Sequence, residues 1–479
     1  MKKLLNFKPM LLMIALTLIF ASCSDDDNAS APIVPPQPNI VELALATPEL
    51  ATLVAALQAA DGNLVDVLSG PGPFTVLAPT NAAFTAFLTA NGFASLDDVP
   101  TDVLAEVLLN HVISADLTSG DLSGLGSGYT STNATGVGGN KISLYFNTAN
   151  GVRFNNAAAV VTDGADIDAS NGTIHIIDAV IPIPTIVTHA AANENFSSLV
   201  AALGASNIDL VGLLDDEGPY TVLAPDNAAL ATYLDGADLG GINVDALTQV
   251  LLNHVLSKTL LSTDLTTAGA GYDNTNATGA GMNPMSIYFD TSDGVIFNGI
   301  SEVTTADIVG SNGIIHAVDT VIDLPTVVTF AAANPNFTTL VEALTTLTPA
   351  TDFVSILSRT EGGNLDGYNP DYTVFAPTND AFAALPEVPG EAVLTQVLLH
   401  HVIGEANVTS SDLTPDGDTV APTLEGDNIT ITLPGTEENI ADVTDGSGAT
   451  DIGIIAVDVQ AANGVIHVLD KVMIPNLEN

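Results

Sequence analysis

Apolar residues at Leu50, Leu53, Val54 and Leu57 share one helical face, directly after Thr47-Pro48-Glu49. Those three supply a cap, a proline at the first position and an acid in the first turn, so a helix is predicted to start there. The short apolar run "PFTVLAP" predicts a strand, and Thr80 stands where it can cap a second helix carrying Phe84, Phe87 and Leu88. Thr101-Asp102 opens a third helix. Two alternating runs follow, "KISLYFNT" and "GVRFNN", joined at an Asn-Gly turn, and these predict a hairpin. "GTIHIIDAVI" is apolar at successive positions, as a strand buried on both faces must be. Several helices beside a mostly antiparallel β core make an α+β domain.

The pattern then repeats. "TVLAPTNAAF" at 75–84 returns as "TVLAPDNAAL" at 221–230 and "TVFAPTNDAF" at 373–382; "LLNHV" at 108–112 returns at 251–255 and as "LLHHV" at 398–402. "NGTIHIIDAVIPIP" at 171–184 has counterparts from 312 and from 463. Repeats this long are whole tandem domains, with expected limits 40–184, 185–325 and 326–476.

Ahead of them the pattern changes. Lys2, Lys3 and Lys8 precede an apolar run from Met10 to Phe20, too short for the roughly 20 residues that cross a bilayer. It predicts a signal peptide over 1–22. Ala21-Ser22-Cys23 resembles the site at which lipoprotein leaders are cut before a lipid-modified cysteine, and Cys23 is the chain's one cysteine. Ser24-Asp25-Asp26-Asp27 resembles the export tag of surface lipoproteins in some Gram-negative bacteria. Residues 23–39 then form an acidic, proline-rich tether. The expected location is the outer membrane, with a lipid anchor and the domains facing outward.

Composition narrows the partners. The formal net charge is −48, yet charged residues are 13% of the chain. The negative field disfavours nucleic acid and anionic lipid. A hydrophobic content of 47% is enough for packed cores, and a single cysteine allows no internal disulfide.

The three blocks, in the same order three times, resemble the fasciclin domain. The resemblance implies three wedge-shaped β-sandwiches with helices packed at one side. It also implies cell-surface adhesion or matrix contact rather than catalysis. In some animal members a Tyr precedes the helix histidine and the pair is linked to integrin binding. Here Asn110, Asn253 and His400 hold that place, which argues against integrin-type recognition.

Candidate chemistry centres on two histidine sets. His111, His254 and His401 lie on the apolar stripe of the third helix in each repeat; His175, His316 and His467 lie in the buried closing strand. Both read as core residues bonded to backbone rather than as bases or metal ligands. No Gly-x-Ser-x-Gly elbow, Walker loop, His-Glu-x-x-His or thiol nucleophile accompanies them, and the chain reads as no enzyme. "DGADIDASNG" at 163–172 lacks the order of an EF-hand loop and reads as a solvated turn, calcium being the one cofactor left open. "GYTSTNATG" at 128–136 matches "GYDNTNATG" at 271–279 and has no counterpart in the third repeat. It reads either as a turn copied on duplication or as a pair of contact loops anchored by Tyr129 and Tyr272. The expected function is multivalent adhesion to extracellular proteins, matrix or neighbouring cells. The alternative is glycan capture for polysaccharide uptake, against which stands the absence of Trp.

Overall fold

The computed structural model describes residues 36–478. The leader, Cys23, the acidic tag and most of the tether lie outside the described residues. From Pro38 onward the chain forms one compact unit.

The first domain shows the plan. Helices α1 (Ile40–Ala46), α2 (Ala51–Ala59) and α3 (Leu64–Ser69) precede strand β1 (Phe74–Pro79). Then come α4 (Asn81–Ala90), α5 (Thr101–Leu109), β2 (Val112–Ile113) and α6 (Ser119–Leu125). Strands β3 (Ser127–Thr135), β4 (Lys141–Asn147), β5 (Arg153–Phe154), β6 (Ala158–Ala159), β7 (Ile167–Ala169) and β8 (Gly172–Ile177) complete it. One sheet has the order β2-β1-β8-β7 and the other β3-β4-β5-β6. Only β1 and β8 pair parallel within these two sheets.

The continuous apolar runs follow from this layering. Val76 and Ala78 of β1, with Ile174 and Ile176 of β8, pack under the helices. Leu77 and Ile177, on the opposite face, meet Leu144, Phe146 and Phe154 between the sheets. A sheet covered on both sides favours near-continuous apolar runs.

In the second and third domains the two sheets join into one of seven strands. A single long strand, Ser301–Val309 or Ile452–Ala461, passes from one half to the other through two register shifts. An aspartate sits in the left-handed region at each such bend, Asp307 (φ 57°) and Asp458 (φ 63°), as Asp166 (φ 56°) does between β6 and β7. Asp is among the few non-glycine residues that adopt this conformation readily.

Three local expectations are corrected. Thr47 makes no side-chain cap, and Pro48–Leu50 is a 3₁₀ turn leading into α2. A separate helix, α1, comes first, its N-terminus closed by reciprocal bonds between Asn39 and Glu42. All of "GYTSTNATG" but its last glycine lies in the nine-residue edge strand β3 rather than in a turn or loop, paired along β4 from Ser127↔Asn147 to Ser131↔Ser143. Thr80, by contrast, caps α4 by accepting from Ala83 N–H, as its position predicts.

Candidate functional site

The helix histidines are wholly buried at the C-terminal end of α5 and its counterparts, Val244–Leu252 and Glu391–His400. Ile181 N–H donates to His111 Nε2 at 2.9 Å, so the proton of the neutral ring sits on Nδ1, which donates to Val107 O at 2.7 Å. His254 repeats this between Ile322 N–H and Val250 O, and His401 between Met473 N–H and Val397 O. Each ring ties the helix to the segment after the closing strand. Burial pulls all three pKa values down to about 4. With both nitrogens engaged, none has a lone pair to offer a substrate or a metal.

The strand histidines are spent in a similar way. His175 Nε2 donates to Leu117 O and Nδ1 accepts from Asp166 N–H; His316 does the same with Leu260 O and Asp307 N–H. His467 Nε2 donates to Val408 O, while its Nδ1 has no hydrogen-bond partner. The facing aspartate turns outward: Asp166 accepts from Ser119 N–H at 2.6 Å and from the Ser119 hydroxyl. Asp307 with Ser262 and Asp458 with Ser410 repeat it. The carboxylate at the heart of "DGADIDASNG" therefore serves the first turn of α6, not a ring of oxygens around a cation. The constant nine-residue step from Asp to His was the signal for this pair that periodicity alone did not exploit.

The position before the helix histidine is closed as well. Asn110 and Asn253 are fully buried and donate to the carbonyls of Ile181 and Pro182, and of Ile322 and Asp323. In the third domain His400 takes this place beside Glu425 and Asp427, a grouping of possible metal ligands. Gly446 N–H donates to His400 Nε2 at 3.0 Å, which leaves the ring proton on Nδ1, where it faces Thr423 Oγ1 at 3.3 Å and Glu425 Oε2 at 3.5 Å. A cation would need the lone pair that this arrangement gives to a proton, so the donor set suits an internal hydrogen bond better than a metal. Burial lowers the His400 pKa in spite of Glu425, Asp445 and Asp427 nearby.

Tyr129 and Tyr272 face the next domain of the same chain. Tyr129 packs 5.2 Å from Tyr145 and edge-on, at 5.8 Å, against His189 of the second domain. Asn193 Nδ2 donates to its hydroxyl at 3.2 Å. Tyr272 packs 5.0 Å from Tyr288 and 5.7 Å from Phe330 of the third domain, with Asn334 Nδ2 donating at 3.0 Å. Next to each tyrosine a serine of the strand paired with it accepts an amide from the following domain: Val309 N–H to Ser143 Oγ at 3.0 Å, and Gln460 N–H to Ser286 Oγ at 2.9 Å. The glycine ending each motif allows the approach. A Cβ on Gly136 would lie 2.6 Å from Gly310 O, and one on Gly279 would lie 2.3 Å from Ala461 O.

The motif that recurs twice is thus a junction motif. The register that pairs Tyr129 with Tyr145 pairs Asp418 with Thr432 in the third domain, and those two bond to each other at 2.8 Å.

The fasciclin domain model matches at residues 48–184, 194–325 and 335–475. The chain belongs to the fasciclin family. It is similar to an uncharacterised protein of Synechocystis, sll1735, at 39% identity over 30% of this chain and 97% of that one. It is also similar to the pig transforming growth factor-beta-induced protein ig-h3, at 28% identity over 70% of the chain, and to human periostin, at 27% over 86%. The chain spans 45% of each of those two animal proteins, so they are longer fasciclin proteins with which it shares only a part. As in the sequence-based expectation, the fold is three tandem fasciclin domains of mixed helix and sheet.

Proposed function

We propose that this fasciclin protein is a non-enzymatic interaction module, held at the outer membrane by lipid on Cys23 and facing the exterior, where it contacts proteins, matrix or neighbouring cells. The observation that carries the non-enzymatic reading is the fate of the helix histidines. His111, His254 and His401 spend both ring nitrogens on backbone, so the repeated motif that looked most like chemistry is fastening. The family's adhesive character supports the contact role, and the basic start, short apolar run and lone Cys23 support the anchor. Junctions that join the domains into one body suit a module that must present a fixed outer surface.

Glycan capture, the alternative, would need aromatic rings open to a sugar face. Tyr145 and Tyr288 are buried, and Tyr129 and Tyr272 are committed to the junctions. The test is binding of residues 29–479 to immobilised matrix proteins and polysaccharides, with calcium and with a chelator. Saturable binding to protein or to a second copy is the expected result. Saturable binding to one polysaccharide, and to no protein, would replace this reading with capture.

A further inference from the structure

The three domains differ at one place on their helical side. In the second, the loop after Ser197–Ala205 is latched to Val244–Leu252 by side chains. Asn207 N–H donates to Thr248 Oγ, Thr248 Oγ donates to Asn207 Oδ1, and Asn207 Nδ2 donates to Asp245. In the third, Ala350 N–H donates to Glu391 Oε1 at 2.8 Å. In the first, the same loop is held to α5 by a backbone bond, Asp61 N–H to Thr101 O at 3.2 Å. Asp61 stands where the second domain has Asn207, and Ala105 where it has Thr248.

What lies open is a groove of about 820 Å³ between α3 and α5. Its floor includes Leu64, Leu109 and Ile183. Its walls carry two large apolar side chains in solvent, Val67 at 48% and Val103 at 46% exposure. Three carboxylates surround them: Asp61 and Asp102, both exposed, and Glu106, one oxygen of which accepts from Thr135 N–H. Among the described residues no basic side chain lines the groove. An apolar trough with an acidic rim complements an amphipathic segment with apolar residues on one face and Lys or Arg beside them.

We infer that this groove is a docking site for a cationic amphipathic peptide segment of a partner protein. The site is separate from contact with matrix, and each can hold without the other. The second domain shows how to close it: Asp61→Asn with Ala105→Thr recreates the Asn207, Asp245 and Thr248 latch over Asp102. Only Ala105 is buried, and Thr248 already fits at its place in the second domain.

The probe is a fluorescein-labelled 14-residue helix of Leu and Lys, titrated with the full chain and read by anisotropy. A matched probe has every Leu replaced by Ser at the same charge. The Leu-Lys probe is expected to bind, the Ser-Lys probe at least tenfold more weakly, and the latched double variant to lose at least tenfold for the Leu-Lys probe alone. Val103→Asp, at an exposed position, is expected to weaken the Leu-Lys probe similarly. Equal binding of both probes would reduce the effect to the chain's negative field and overturn the site. Unchanged binding by the latched variant, with its melting temperature intact, would overturn it too, as would no binding of the Leu-Lys probe.

Discussion

The two junctions solve one problem with different residues. Both set a tyrosine from the preceding domain against a ring on the first helix of the next, bond its hydroxyl to an Asn, and receive a backbone amide on a Ser. At the first junction the ring is His189, wholly buried, its Nε2 donating to Val309 O and its Nδ1 without a partner. At the second it is Phe330, equally buried. The joint therefore needs a flat ring in that pocket and not a polar one. The histidine brings a liability that the phenylalanine lacks.

The largest effect is expected at the ring. Phe330→Ala removes a large buried side chain and is expected to cost about 3–5 kcal/mol in urea unfolding, loosening the third domain from the second. A loss under about 1 kcal/mol would show that the second junction does not depend on it.

Acid should separate the two joints. Burial lowers the His189 pKa to about 4 from an ordinary 6.5. Between those values the unfolded chain binds a proton that the folded chain refuses, so stability falls as pH drops from 6.5 towards 4. One such histidine accounts for about 3 kcal/mol over that range. His189→Phe, which copies the second junction, should therefore flatten the dependence of melting temperature on pH by one proton's worth. The slopes left by His111, His254 and His401, lowered to the same value for the same reason, should persist.

Smaller steps test the shared hydrogen bonds. Ser143→Ala and Ser286→Ala each leave a buried amide of the next domain unpaired and should cost about 1–3 kcal/mol apiece, at either junction alike. Tyr129→Phe and Tyr272→Phe keep the ring and lose only the hydroxyl's bond from Asn193 or Asn334, for about 1 kcal/mol each. Unequal costs within either pair would mean that the two joints are not built alike.

Much of the fold was legible because its determinants are local. The stripe of Leu50, Leu53 and Leu57, the cap at Thr80 and the doubly apolar closing strand all signal themselves within a few residues. Helix α1 escaped because seven residues give barely two turns of periodicity, though Asn39 and Glu42 marked its start. The strand β3 escaped because an edge strand rich in Ser, Thr and Asn lacks apolar alternation. The role of Tyr129 was out of reach for another reason. Its partners, His189 and Asn193, and the neighbouring amide of Val309 belong to another domain, and no spacing in one repeat encodes a contact with the next. The duplicated motif could be seen, but not what it touches.

The tyrosine motifs lock the domains together rather than leaving them strung as independent beads. The direct measurement is hydrogen exchange at the Val309 and Gln460 amides, which donate across the junctions. The locked array predicts protection comparable to that of amides between β1 and β8, with loss of protection at Val309 in Tyr129→Ala and at Gln460 in Tyr272→Ala. Exchange of both amides at open-chain rates in the unaltered protein, with the sheets still protected, would contradict it.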